Sequence, residues 1–166
     1  MAGYQCGESC SKEEWAEYTD EQAEAIYATL KNEYKLSYVD SAMAYGAQNE
    51  NPQRVRLPSD SLATASANCI DGTVLFASAL ENVGINPVIV LLPTHAFVCY
   101  DRTPGASGES LGCVETTMIR DASFDAASNE ALQEYQAEIS NGNFASNKTQ
   151  EFSVSDLRER GIRPML

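Results

Sequence analysis

Hydrophobic positions recur with a helical period in several separate stretches. Between Lys12 and Tyr34, the residues Trp15, Tyr18, Ala25, Ile26 and Leu30 stand among many glutamates, which predicts an amphipathic helix with an acidic outer side. Tyr38 to Ala47 has no decisive period, and Gln48 to Pro52 is a turn-rich loop. Arg54 to Pro58 is short and extended, and Pro58-Ser59-Asp60 can open a helical turn. The clearest helix runs from Cys69 to Val83, where Ile70, Val74, Phe76, Ala77, Leu80 and Val83 keep helical spacing and Gly84 supplies a left-handed stop. Asn68, with Asp71 three residues on, forms an N-cap pair and sets Cys69 at the first helical position. A further helix spans Phe124 to Ile139 behind a Ser123 cap and ends at Ser140 to Asn143. After a polar loop from Phe144 to Gln150, Ser153 to Arg160 reads as a short helix with Ser155 as candidate N-cap and Gly161 as its stop.

Between the central helices the period changes to that of strands. Asn86 to Leu92 is β-branched and aliphatic, Pro93 interrupts it, and Thr94 to Tyr100 forms a second strand. Arg102 to Gly108 is a hairpin loop, and Leu111 to Ile119 returns as a third strand. A hairpin symmetric about Gly105 pairs His95 with Glu115 and Phe97 with Cys113, so that His95 and Glu115 share one face within hydrogen-bonding reach. A slip of one residue would put Glu115 on the other face.

Composition narrows the class. The 166 residues fit one domain, 1–166, with residues 1–11 expected to be a mobile start. The apolar fraction of 43% permits a real core, yet no apolar run approaches the roughly 20 residues of a spanning helix, so no membrane insertion is expected. A net charge of −13 would repel a phosphate backbone, which argues against nucleic-acid binding. Five cysteines (Cys6, Cys10, Cys69, Cys99, Cys113) leave at least one free thiol in the monomer, and their spacing does not read as a disulfide framework. Cys6 and Cys10 could close a small loop, a hint of export, whereas Met1 to Gln5 does not read as a signal peptide. The compartment therefore stays open. One histidine and no second close cysteine pair disfavour a structural zinc site, and no metal or cofactor is expected.

Two residues carry the candidate chemistry. Cys69 at a helix start meets unpaired N–H groups and the positive end of the dipole, which stabilise a thiolate and can receive an oxyanion. Gly72, one turn in, leaves room for close approach. His95 is the chain's single histidine and so its one side chain with an unperturbed pKa near neutrality. With Glu115 fixing the ring, the set composes a nucleophile, a base and an orienting acid. Asp101 is a weaker rival, six residues from His95 along an extended strand, or about 20 Å. The non-chemical alternatives are a small buried cysteine, a satisfied core histidine, an edge-strand acid at Glu115 and a capping role for Asp71.

The residues Gln53 to Pro58, Asn68-Cys69-Ile70-Asp71-Gly72 with Leu75, Ser78 and Leu80, Gly84 to Pro87, Leu92-Pro93-Thr94-His95-Ala96-Phe97 and Val114-Glu115-Thr116-Thr117 resemble the transglutaminase-like cysteine hydrolases of the papain-like superfamily. The resemblance covers Gln53 to Ile119, and Gly161 to Pro164 is similar to the tail of some bacterial members. It implies an α+β fold with the nucleophile helix packed on an antiparallel sheet, and a catalytic triad of Cys69, His95 and Glu115. It also implies that Gln53 assists at the oxyanion, the alternative being a loop residue touching only water. That family commonly has Asp at the third position in an Asp-Pro-Thr context, where this chain has Glu-Thr-Thr. The expected activity is thiol-dependent hydrolysis of a peptide or amide bond in a peptide or protein substrate through an acyl-thioester. Glutamine deamidation or transamidation, and a non-catalytic acidic binding domain, are the alternatives. The chain has no loop with the alternating Asp/Asn spacing of a calcium site.

Overall fold

The structure is a computed structural model that describes residue 6 and residues 9–40, 55–105 and 110–164. Helix α1, Lys12–Asn32, opens on a capping box in which Glu14 N–H donates to Ser11 Oγ and Ser11 N–H donates to Glu14 Oε2. Strand β1, Ser37–Tyr38, follows, then helix α2, Pro58–Thr64, which carries its proline in the first turn where an N–H would lack a partner anyway. Strand β2, Ser66–Ala67, pairs in parallel with β1, Tyr38 lying beside Ala67. Helix α3, Cys69–Asn82, comes directly after it. Gly84, at φ +87°, ends α3, and Ile85 N–H returns to Leu80 O in the bond that satisfies a last-turn carbonyl.

Strands β3 (Pro87–Leu91), β4 (Ala96–Asp101) and β5 (Leu111–Val114) follow, then a 3-10 turn at Thr116–Met118, helix α4 (Phe124–Ser140), strand β6 (Gln150–Ser153) and helix α5 (Val154–Glu159). The sheet is antiparallel in the order β5-β4-β3-β6, so the molecule is mixed α and β as expected. Three local readings change. The third strand stops at Val114 rather than Ile119, because Glu115 caps the 3-10 turn. The segment read as polar loop ends in β6, an edge strand whose partner β3 supplies the ladder. The short last helix has Ser153, not Ser155, at its N-cap position, and Asn86 Oδ1 takes the Ser155 N–H in place of a cap bond.

Side-chain alternation gives the sheet two buried faces. Val98, Tyr100 and Val114 pack on one side with Phe76, Leu80, Ile26 and Tyr27 from α3 and α1. Val88, Val90, Phe97, Cys99 and Cys113 pack on the other with Ala131 of α4. The β4–β5 register pairs Cys99 with Cys113 and Val98 with Val114, two residues away from the expected pairing of Phe97 with Cys113. With that register Cys99 and Cys113 meet and form a disulfide, and Cys6–Cys10 forms a second. The Cys6–Cys10 loop was open to the sequence reading, the Cys99–Cys113 bridge runs against the reading from spacing, and Cys69 is in no disulfide.

The α3 side of the sheet contains a tight contact. A Cβ placed on Gly112 would run into the Tyr100 ring, and Tyr100 is nearly fully buried with its hydroxyl bonded to Asp20. Asp20 is held in turn by the Arg102 guanidinium, so the ring has no direction in which to retreat. Gly112→Ala is expected to cost about 1–3 kcal/mol of stability as overpacking, measured as a lowered urea midpoint at unchanged m-value.

Candidate active site

Cys69 is positioned by its own helix end. Asn68 Oδ1 accepts the Asp71 N–H at 2.8 Å and Asn68 O accepts the Gly72 N–H at 2.9 Å, which fixes the first turn of α3 with Cys69 at its head. Gly72 has the use expected of it. A Cβ there would lie 2.7 Å from Thr116 Oγ1, so the missing side chain lets the Thr116 turn rest against the first turn of α3. Glu115 immediately precedes that contact and is brought beside the nucleophile helix. Asp71, read as a capping acid, has a different task. It is buried and accepts the Arg56 N–H at 2.8 Å, with the Arg56 guanidinium 3.4 Å away, and so ties the segment before α2 to α3.

Glu115 is buried and directional. Its Oε1 accepts from Thr117 N–H at 2.9 Å and Thr117 Oγ1–H at 2.7 Å, leaving Oε2 to accept from His95 Nε2–H at 2.6 Å. His95 immediately precedes β4, where its carbonyl accepts the Leu92 N–H at 2.9 Å and closes the tight β3–β4 connection. Extending the observed register sets Glu115 across from Phe97 and diagonal to His95 rather than directly opposite. The two-residue difference preserves the face, and a diagonal of about 7–8 Å is within reach of a long side chain. The extra methylene of Glu over Asp spans that diagonal.

The Cys69 side chain is near enough to His95 to act on its titration as well. Nε2 is given to Glu115, which leaves Nδ1 as the ring nitrogen available to another partner. Burial by itself would lower the His95 pKa, but the Cys69 side chain, the hydrogen bond to Glu115 and the charges of Glu115 and Glu134 outweigh it and carry the pKa up to about 10. An imidazolium held this firmly favours a thiolate partner. The three residues expected to form the site therefore come together.

The structure adds groups that the sequence reading did not select. Glu134, on α4, places Oε2 3.8 Å from His95 Nε2, and its own pKa is raised by burial and by Glu115, Glu138 and Glu130, with His95 acting in the opposite sense. The spacing of Glu130, Glu134 and Glu138 was visible, but such a stripe reads by default as a solvated helix face. Thr117 aims Glu115, a role that only the turn geometry reveals. Tyr38 of β1 lies close enough to feel the charges of Cys69 and Glu115, which, after burial and Asp40, raise its pKa. Gln53 falls outside the described residues. Asp101 accepts from Asn86 Nδ2 at 2.7 Å at the far end of β4, which removes it as an orienter of His95.

The donor atoms of His95, Glu115 and Glu134 lie within 4.8 Å of one another. The 2.6 Å between Nε2 and Oε2 is hydrogen-bond spacing. Two atoms so close, each about 2.0 Å from a zinc ion, would subtend roughly 80°, far below a tetrahedral angle. The cluster is built around a proton. A cleft of about 680 Å³ lined by Leu57, Ser78, Glu81 and Arg158 runs beside the C-terminal half of α3, its lining on that helix starting at Ser78, about 14 Å along the axis from Cys69. Among the described residues no helix is long and apolar enough to cross a membrane. Comparison with known protein families, curated proteins and solved structures finds no match to this chain.

Proposed function

We propose that this chain is a thiol-dependent hydrolase of peptide or amide bonds, of transglutaminase-like type, working through Cys69, His95 and Glu115. The observation that supports it best is the buried carboxylate at 2.6 Å on the ring's Nε2, with the thiol at the head of α3 near enough to help raise the ring's pKa. A merely packed histidine has no need of a carboxylate itself aimed by two further hydrogen bonds. In the reaction the Cys69 thiolate attacks the carbonyl carbon and the carbonyl electron pair moves to oxygen, where the Cys69 backbone N–H at the helix start can receive it. The C–N bond then breaks as the His95 imidazolium gives its proton to the departing amine. Water, losing a proton to His95, attacks the thioester, and the carboxylic acid leaves as the thiolate reforms. Glu115 holds the ring and its charge through both steps.

The test begins with alkylation of the native protein by iodoacetamide, since the disulfides leave Cys69 as the target thiol. Labelling well below pH 8 is expected; labelling only after unfolding would overturn the proposal in favour of a binding domain. Hydrolysis of a mixed peptide library, read by mass spectrometry, should accompany it. For a substrate so found, the alkaline limb of kcat/KM is expected near pH 10. The His95 pKa is raised to about 10, so the ring keeps its proton below that pH and loses the ability to protonate the leaving amine above it.

A further inference from the structure

We infer that Glu134 is a positioning residue of the same site, a second carboxylate that holds His95 in its protonated form through the Nε2 edge. This inference rests on the proposed Cys69–His95–Glu115 reading and extends it to an element, α4, that contributes no member of the triad. The geometry is specific. Glu134 Oε2 lies 3.8 Å from the same nitrogen that Glu115 Oε2 approaches to 2.6 Å, so one N–H faces two carboxylates. Their surroundings differ: the Glu115 side chain is 5% exposed and Glu134 31%. Glu115 is locked by Thr117, whereas Glu134 stands at the rim with Glu130 and Glu138 along its own helix. Two roles follow from the two settings. Glu115 orients the ring, and Glu134 adds negative charge from the open side, where it can follow the imidazole as that ring donates and recovers its proton.

The groups facing His95 are Cys69 from α3, Glu115 from the end of β5, Glu134 from α4 and the neutral ring of Phe97 from β4, at 6.3 Å between centroids. Tyr27 of α1 and Tyr38 of β1 face Glu115, and both phenols are pushed up in pKa, Tyr27 to about 12, so they stay neutral where the imidazole titrates. The cationic ring thus stands against one thiol and two acids, and removing either acid destabilises its charged form. Glu134 can be removed while the buried hydrogen bond to Glu115 is left in place.

Because His95 is the only histidine, its ring Cε1–H gives a single resonance that can be titrated by NMR in the intact protein without any substrate. Glu134→Gln, which keeps shape and loses charge, is expected to move that midpoint down by about half a pH unit, the range of a partly exposed ion pair. Glu134→Asp, which keeps the charge on a shorter arm, should retain most of the wild-type value. The alkaline limb of kcat/KM should move down with the Glu134→Gln midpoint while the thermal unfolding midpoint holds. A Glu134→Gln midpoint equal to wild type, or a Glu134→Asp midpoint as low as that of Glu134→Gln, overturns the inference. A wild-type protein that cleaves nothing would sink the hydrolase reading instead, while the NMR midpoints would still decide the role of Glu134.

Discussion

His95→Ala is expected to lower hydrolytic turnover by about ten-thousandfold or more while leaving the fold intact. The ring is at the entry to β4 rather than inside either core, and its side chain is 25% exposed, so alanine leaves no buried cavity of consequence. What is lost is chemistry. Without the imidazolium, Cys69 keeps only the helix end to favour its thiolate, and the departing amine has no proton donor. Alkylation by iodoacetamide at pH 6 should fall roughly tenfold to a hundredfold, the change from a paired thiolate toward an ordinary cysteine. The two readouts must move together. If turnover vanished and alkylation at pH 6 were unchanged, the thiol would not be drawing on His95, and the ion pair would not be the resting state of the site.

The second large effect concerns the bridge beneath the site. Cys99–Cys113 closes a segment with a sequence separation of 14, and it joins the two strands that carry His95 and Glu115 at their ends. Cross-linking a loop of this length restricts the unfolded chain by about 3 kcal/mol. The double variant Cys99→Ala/Cys113→Ala is therefore expected to lose about 3 kcal/mol in urea unfolding, or roughly 6–12 °C in Tm. The corresponding Cys6→Ala/Cys10→Ala pair, spanning a separation of 4 outside the sheet, should cost clearly less. A double variant at Cys99 and Cys113 as stable as the parent would mean that the sheet ladder alone sets the β4–β5 alignment.

What the sequence made legible, and what it hid, divides along physical lines. The α3 helix was legible because its period, its Asn68 cap and its Gly84 stop are all local, and local signals put Cys69 at the helix head where the structure has it. His95 and Glu115 were legible as residue types, and their shared face survived an error in register because the error was two residues. The register itself was held by a long-range fact. Pairing Cys99 with Cys113 fixes it, but that pairing was not read because the spacing did not suggest a cross-link. Strand β6 was hidden because Gln150 and Glu151 are polar and exposed, and an edge strand exists only through its neighbour. Two-residue strands such as β1 and β2 have no period to detect. Glu134 was concealed by resemblance to an ordinary acidic helix face, and only the packing of α4 beside His95 distinguishes it from Glu130.

Burial and spacing along the strand also keep two sulfur sites apart. A thiolate at Cys69, as the proposed mechanism requires, would attack any disulfide within reach, by exchange through a mixed-disulfide intermediate. Cys99 and Cys113 turn toward α4, while α3 packs on the opposite face against Val98, Tyr100 and Val114. Cys99 lies four residues along the chain from His95, about 13 Å in an extended strand, and both bridged cysteines are fully buried. On the proposed reading, one small chain can therefore hold a reactive thiol and a structural bridge without shuffling the second into the first.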